Sequence, residues 1–386
     1  MEDNAESEGQ DNVEGNKESS NEVKPRFSGI KGIIPRIKRI YEGQYKKLLI
    51  IPFSLLLIAI LLIGLKFAIT GDFINRDVSL KGGVTVTIQT KQQIDILQLK
   101  ETISSKFPEN DISTKYLSRY GSQVGVIVDV DIGEENREEQ IDTLIEELGK
   151  ALNLKLTTND YSIEIVGSSL GASFFREVIR ALLVAFFLMG AIVFLYFGPS
   201  LKLKLIVSLL SIFSSILIFA NKGLLSDIAA FLFGIILIYI FLKWSIPSFA
   251  VILSVFSDII ITLSIVNLLG MKLGIAGIAA FLMLIGYSVD TNILLSIRVL
   301  KRKEGTEMER IYGAFKTGIT MSLTTIIALS AALIFTQSEV IRQIMIILLI
   351  GLTIDLINTW IQNAGILRLY LERKAKKSMM NNESQT

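Results

Sequence analysis

Apolar blocks close to twenty residues long recur along this 386-residue chain. A helix of about that length crosses the roughly 30 Å hydrocarbon core of a bilayer. We predict a first span at 48–69 and seven more at 178–198, 203–221, 224–243, 247–269, 273–297, 317–336 and 340–366. Hydrophobic residues make up 51% of the chain and gather in these blocks, so the pattern predicts an α-helical polytopic membrane protein with about eight transmembrane helices.

The hydrophobic period changes between the first and second spans. Alternating segments predict strands, and segments with apolar residues three to four apart predict helices. The order is strand 84–90, helix 92–107, strands 111–117 and 123–131, helix 135–152 and strand 161–166. This β-α-β-β-α-β order predicts an inserted α+β ferredoxin-like domain over 70–173, a fold that does not by itself indicate a function.

Charge divides the remainder of the chain and predicts its orientation. Residues 1–47 begin as an acidic tail, which we expect to be disordered, and end as a basic segment before the first span at 48–69. A seven-helix transmembrane bundle is predicted over 174–366, followed by a basic tail over 367–386. Because basic flanks favour the cytoplasmic side, we expect a multi-pass protein of the plasma membrane with both termini cytoplasmic and the ferredoxin-like domain extracytoplasmic.

The composition also excludes several kinds of chemistry. The chain has no Cys and no His, so it cannot build a disulfide, a thiolate metal site, an ordinary zinc site or a Ser-His catalytic pair. The glycine pairs at 82–83 and 274–277 do not match the nucleotide-binding motifs. We therefore expect neither enzymatic activity nor a cofactor, and no nucleic-acid partner.

Acidic residues inside predicted spans are the candidate functional residues. Asp258 has Ser254 and Thr262 four residues to either side, which places three polar side chains on one helical face. Asp290 and Asn292 interrupt an otherwise apolar span. A carboxylate at membrane depth costs at least a few kcal/mol, so such residues normally face a protein interior or a water path. We expect Asp258 and Asp290 to be buried and to take part in a proton relay.

Asp355 leaves two alternatives open. Asn358, Thr359 and Gln362 lie on the same predicted face, and such side chains join helices as readily as they line an ion path. Polar groups that only hold helices together remain the structural alternative for every one of these acids.

Five ordered motifs resemble the SecF family in its archaeal form, over about 48–373. These motifs are Gly286–Arg298, Pro247–Ile259, Asp77–Gly83, Val166–Gly171 and Lys316–Ser322. The resemblance implies an RND-like membrane protein that acts with a SecD-like subunit beside the SecY channel, draws translocating polypeptides outward and uses the proton gradient. Its other contacts would be membrane lipids.

The resemblance also implies a set of coupling residues and some departures. A proton relay or coupling role would fall to Asp258, Asp290, Asn292, Lys316 and Asp355. Family members have six spans, so 203–243 resembles an inserted helical hairpin. Many bacterial relatives carry the carboxylate one residue after the position of Asp290, and an Arg where this chain has Lys316. Two other functions stay open: an RND-type transporter subunit for lipids or small molecules, and a membrane receptor or scaffold.

Overall fold

The computed structural model describes residues 41–383 except 91, 120–121, 221–223, 303 and 337. The predicted disorder of the acidic tail, at 1–23, and the connection at 221–223 therefore lie outside the described residues. The described residues from 45 to 383 form one compact unit.

Helices and strands follow one another in the predicted order. The helices are α1 Tyr45–Leu48, α2 Ile50–Thr70, α3 Val78–Lys81, α4 Ile96–Lys106, α5 Arg137–Leu152, α6 Ser168–Phe197, α7 Leu201–Ala220, α8 Leu224–Trp244, α9 Ile246–Leu268, α10 Ile275–Lys301, α11 Glu307–Phe335, α12 Glu339–Ile357 and α13 Ala364–Glu383. A π-helix, Asn358–Asn363, joins α12 to α13 without a break. The strands are β1 Gly83–Gln89, β2 Ile112–Arg119, β3 Ser122–Val130 and β4 Tyr161–Val166.

Long apolar helices account for most of the protein. Among the described residues, seven helices are long and apolar enough to cross a membrane, and a shorter apolar segment, 228–244, lies within α8. The polytopic helical fold is thus confirmed. The α/β domain lies at one end of the bundle, which we call the domain end, and we call the opposite end the far end.

The inserted domain is a four-stranded antiparallel sheet in the order β2-β3-β1-β4. In β1, Val84, Val86 and Ile88 are fully buried in a core shared with α4 and α5, whereas Thr85 and Thr87 point to the other face. The alternation that predicted the strand therefore also sets which face of the sheet meets the helices.

A close backbone contact ties the start of the sheet to the start of α6. Gly82 and Gly83 have φ angles of 92° and 134°, which favour glycine. A Cβ on Gly82 would lie 2.5 Å from the Cα of Ser168. The chain passes from α3 into β1 at this point, and only glycine fits there.

The loop between α9 and α10 is joined to the segment that follows α2. Leu273 accepts a backbone hydrogen bond from Asp77 (2.9 Å) and donates one to Asn75 (2.6 Å). The Lys272 ammonium lies 2.8 Å from the carboxylate of Asp111 at the start of β2. The loop between these two spanning helices is thus fixed to the α/β domain by both backbone and side-chain contacts.

Helices α9 and α10 occupy the centre of the bundle. The hairpin formed by α7 and α8 packs on α6 and on the first turns of α9, through a cluster that includes Phe194, Val207 and Phe241. At the far end, the Arg368 guanidinium stacks 3.9 Å from the ring of Tyr45, so that α13 holds the start of the first spanning helix.

Candidate functional site: a buried carboxyl pair

Polar side chains from α9, α10, α12 and the π-helix meet inside the bundle, and all of them are buried. The helical spacing of these residues turns them to one side of each helix, because residues three or four apart share a face. The cluster consists of Ser254, Ser257, Asp258, Thr262, Ser288, Thr291, Asn292, Ser296, Asp355, Asn358, Thr359, Gln362 and Asn363.

Asp258 accepts hydrogen bonds from two other helical segments. Ser288 Oγ on α10 donates to Oδ2 at 2.5 Å, and Asn358 Nδ2 on the π-helix donates to Oδ1 at 2.7 Å. Both oxygens of this carboxyl group are therefore engaged, and the group joins α9 to α10 and to the π-helix.

Asp355 lies beside Asp258 and has its own donors. Thr359 Oγ1 donates to Oδ1 at 2.9 Å, and Thr291 Oγ1 donates to Oδ2 at 3.0 Å. The two carboxyl groups are close enough to interact directly. We call Asp258 and Asp355 the carboxyl pair.

The surroundings of the carboxyl pair restrict its charge. Both residues have no exposed surface, and within the described part of the chain no ion pair to Lys or Arg involves either of them. Two adjacent carboxylates in such an environment repel each other and are poorly solvated. The pair can therefore hold a proton or another cation between its oxygens, which is the chemistry that a relay needs.

The π-helix places three amide side chains and one hydroxyl in the buried network. Asn358, Thr359, Gln362 and Asn363 are all fully buried, because the wider turn brings both members of each neighbouring pair inward. Such π segments often mark functional sites in helices. The side chain of Trp360, on the same segment, packs against Gly318 of α11.

The network continues from the pair towards the far end. Asn363 Nδ2 donates to Asn292 Oδ1 at 2.7 Å, and Gln362 Nε2 donates to Ser257 Oγ at 3.1 Å. Among the described residues, the side-chain oxygens of Asn358, Gln362 and Asn363 have no hydrogen-bond partner in the protein. The half of the bundle interior towards the far end therefore contains unpaired hydrogen-bond acceptors.

Comparison with known proteins places the chain in a family. The family model described as protein export membrane protein SecD/SecF, C-terminal, matches residues 146–221 and 213–373. The protein-export membrane protein SecF of Pyrococcus furiosus is 32% identical over 342 residues, which are 89% of this chain and 96% of that protein. The chain belongs to the SecF family. The SecF of Methanocaldococcus jannaschii is similar to the same degree, 33% identical over 86% of this chain and 99% of its own.

A solved structure supports the fold of this SecF-family chain. The crystal structure of SecDF, a translocon-associated membrane protein from Thermus thermophilus, superimposes with a TM-score of 0.54 at 18% sequence identity. The match covers 87% of this chain and 41% of the SecDF chain, so this chain spans less than half of that longer protein. The resemblance to SecF predicted from five motifs is confirmed.

The structure brings three of the five predicted residues together and leaves two outside. Asp258, Asn292 and Asp355 belong to the buried network. Lys316 is exposed on the first half of α11. The expectation that Asp290 is buried in its span is wrong. In the single chain Asp290 is exposed on the outer face of α10.

The position of Asp290 follows from the helical period. Ser288 and Asn292 are four residues apart and point inward, so the residue midway between them points outward. Ser288 and Asn363 are members of the network that the sequence did not single out. The spacing of Ser288, Thr291, Asn292 and Ser296 on one helical face is the signal that could have revealed the first of them.

Proposed function

We propose that this SecF-family chain is a non-enzymatic accessory subunit of the Sec protein-export machinery, paired in the membrane with a SecD-like subunit beside a SecY channel. The relatives named above are protein-export membrane proteins, and the solved SecDF is translocon-associated. In this proposal the carboxyl pair takes up protons from the gradient, and the α/β domain acts on the translocating polypeptide.

The exposed face of α10 is the feature that best supports pairing with a SecD-like subunit. Met283, Tyr287 and Asp290 form a stripe at helical spacing, and Gly286 between them has open space around its Cα. A carboxyl group that faces lipid at this depth costs at least a few kcal/mol. A second membrane protein that supplies hydrogen-bond donors over this stripe removes the cost, and more than half of the SecDF chain lies outside the match to this chain.

The contacts at the domain end support coupling between the carboxyl pair and the α/β domain. Helices α9 and α10 carry Asp258 and its donor Ser288, and the loop between them is fixed to the domain through Leu273 and Lys272. A change in protonation that shifts α9 against α10 therefore reaches the domain through this loop. Coupling of this kind needs two arrangements of the helices, one favoured by the protonated pair and the other by the deprotonated pair.

The charge distribution supports the orientation of the chain. The described residues of the basic loop 298–316 and of the basic tail from 367 to 383 lie at the far end, together with the start of the first spanning helix. Basic loops favour the cytoplasm, so both termini are proposed to be cytoplasmic and the α/β domain extracytoplasmic. The proposed domain limits are those of the sequence analysis, with 203–243 as an extra hairpin.

Deletion of 201–241 tests this topology. The deletion removes two membrane crossings, so a cysteine introduced at Gly305 should stay on the cytoplasmic side. Exposure of that cysteine outside the cell would contradict the proposal.

The pairing is tested by cross-linking, since the natural chain has no cysteine that would react in the background. Tyr287→Cys places a thiol on the stripe, and Phe213→Cys places one at a comparably exposed position on the α7–α8 hairpin. Only the first is expected to cross-link to a SecD-like chain in native membranes, and affinity capture should bring down SecD-like and SecY-like chains. Recovery of neither chain, with a lipid or small-molecule substrate transported instead, would favour an RND-type transporter subunit.

The coupling role is tested by export of a secreted reporter in energised cells, with and without an uncoupler. Asp258→Asn, Asp355→Asn and Asp290→Asn keep side-chain size but cannot release a proton, so gradient-dependent export should fall while the SecD-like chain is still captured. Asp142→Asn, on the exposed face of α5, is the matched control and should export normally. Normal, uncoupler-sensitive export by all three variants would mean that these carboxyl groups are structural.

A further inference from the structure

The carboxyl pair is open to polar groups on one side and sealed by apolar groups on the other. Towards the domain end, the walls of α10 and α12 are formed by Phe281, Leu284 and Ile285 and by Ile347 and Leu348, all buried. On α9 the network reaches Thr262, one turn beyond Asp258. Thr262 and Ser264 of α9 are buried on the domain side of the pair, so the apolar seal on that side is formed by α10 and α12.

One contact closes the space directly above the pair. Leu284 lies one turn before Ser288 on α10, and Gly351 lies one turn before Asp355 on α12. The Leu284 side chain is fully buried against the backbone of Gly351, where an added Cβ would lie 2.5 Å from Leu284 Cδ2. The absence of a side chain at Gly351 is thus what lets Leu284 sit between the two helices.

A cavity of about 520 Å³ lies beyond this seal, between the open face of the sheet and the domain ends of α10 and α12. Its charged and amide groups are those of Asp77, Asp129, Glu164, Glu339, Lys115 and Gln343. Four carboxyl groups against one amine give the cavity an acidic lining. Such a lining raises the local concentration of protons and other cations.

The ion contacts of Lys115 lie on one wall of the cavity. The Lys115 ammonium lies 3.0 Å from Asp129 and 3.4 Å from Asp77. Burial acts against the charged amine, but the two carboxylates outweigh it and hold the pKa of Lys115 above its usual value. Glu339 lies 3.9 Å from the guanidinium of Arg342 on its own helix, whereas Glu164 forms no ion pair among the described residues, so Glu164 remains available to cations that enter the cavity.

The distance between cavity and pair is short. Ala279 lines the cavity, and Ser288 is nine residues further along α10, about 13 Å at 1.5 Å per residue. An ion that crosses this interval between apolar side chains would meet the desolvation cost of the membrane interior. The cavity and the carboxyl pair are thus two polar compartments with an apolar partition between them.

We propose that Leu284, seated on Gly351, is the gate through which protons pass from the acid-lined cavity to the carboxyl pair. The proposal rests on the proposed function, in which the pair takes up protons from the domain side. Leu284 lies one turn from Ser288 on α10 and packs on Gly351, one turn from Asp355 on α12, so it is the part of the partition that adjoins both members of the site. Gly351 leaves room for displacement of Leu284 because it has no side chain to hold the leucine.

The test measures proton leak through the full-length chain in proteoliposomes that contain a trapped pH-sensitive dye, after an imposed acid gradient. Leu284→Ala should leak protons at least about fivefold faster than the wild type, because the side chain that fills the space between α10 and α12 next to the pair is then missing. Leu295→Ala is the matched control: Leu295 is also fully buried on α10 but lies beyond the pair, towards the far end. Equal rates for wild type and Leu284→Ala, or equal leaks for the two alanine variants, would overturn the proposal.

A second measurement keeps the proposal testable if Leu284→Ala does not fold. Ser288→Cys places a single thiol at the pair, and a small, charged thiol reagent added from the domain side should react with it slowly. Leu284→Val in the same chain should raise the rate of reaction, whereas Leu295→Val should not. Unchanged protection with Leu284→Val would refute the gate. Both measurements use the isolated chain and do not depend on export. The gate can therefore be confirmed even if the proposed export function is wrong, and the gate can be refuted while the export function holds.

Discussion

Removal of the Asp258 carboxyl group should destabilise the bundle by an amount that depends on what replaces it. Alanine leaves the donors Ser288 and Asn358 buried and unpaired. Hydrogen bonds between membrane helices are worth about 0.6 kcal/mol on average and up to about 1.7 kcal/mol, so two of them give a loss of about 1 to 3 kcal/mol. Asparagine keeps one acceptor, and its amide can donate to the free Oδ1 of Asn358, so the expected loss is under about 1 kcal/mol.

The measurement is reversible unfolding of the full-length chain in mixed micelles, followed by circular dichroism. Ser211→Ala on α7 serves as the control, because Ser211 is fully buried but its hydroxyl has no hydrogen-bond partner among the described residues. It should change the free energy of unfolding by less than about 0.5 kcal/mol. Equal losses for Asp258→Ala and Asp258→Asn would refute the reasoning that the two hydrogen bonds stabilise this part of the bundle.

Three further predictions concern the domain attachment, a glycine contact and the topology. Burial acts to raise the pKa of Asp111, but the Lys272 amine outweighs it and holds that pKa below its usual value, so the ion pair should stabilise the attachment near neutral pH. This contribution, about 0.5 kcal/mol for a half-exposed pair, is lost as the pH falls through the folded-state pKa; Lys272→Ala should remove the acid-induced rise in protease sensitivity. Gly318→Leu, where a Cβ would lie 2.4 Å from the packed tryptophan, should cost about 1 to 3 kcal/mol in the same unfolding assay, whereas Gly286→Ala should cost nothing. A cysteine at Ser122 should react with an impermeant reagent in intact cells, and protection there would contradict the extracytoplasmic placement of the domain.

The fold followed from periodicity because each class of element has a distinct repeat. Twenty-residue apolar blocks specify spans, and the alternation of Val84, Val86 and Ile88 with Thr85 and Thr87 specifies a strand with one buried face. These signals are local, so they need no knowledge of which helices become neighbours.

The site was less accessible to this reasoning. The sequence identified Asp258 and Asp355 one by one, but the contact between them joins helices far apart in the chain, and no local pattern gives that pairing. The π-helix was also missed, because its extra residue per turn has no signature in composition. Asp290 was placed inside by its acidity alone, although the inward faces of Ser288 and Asn292 already required it to point outward.

The π-helix also connects the carboxyl pair to the far end of the molecule. Residues 339–380 form one continuous helix of 42 residues, which is about 60 Å at 1.5 Å per residue. If the π turn were to become an ordinary α-helical turn, everything after it would rotate by about 100° and move by about one residue's rise. Such a change beside the carboxyl pair would therefore rotate the basic tail as a rigid extension of the helix. A spin label on the exposed turns of the tail would then report the state of a site buried in the centre of the bundle.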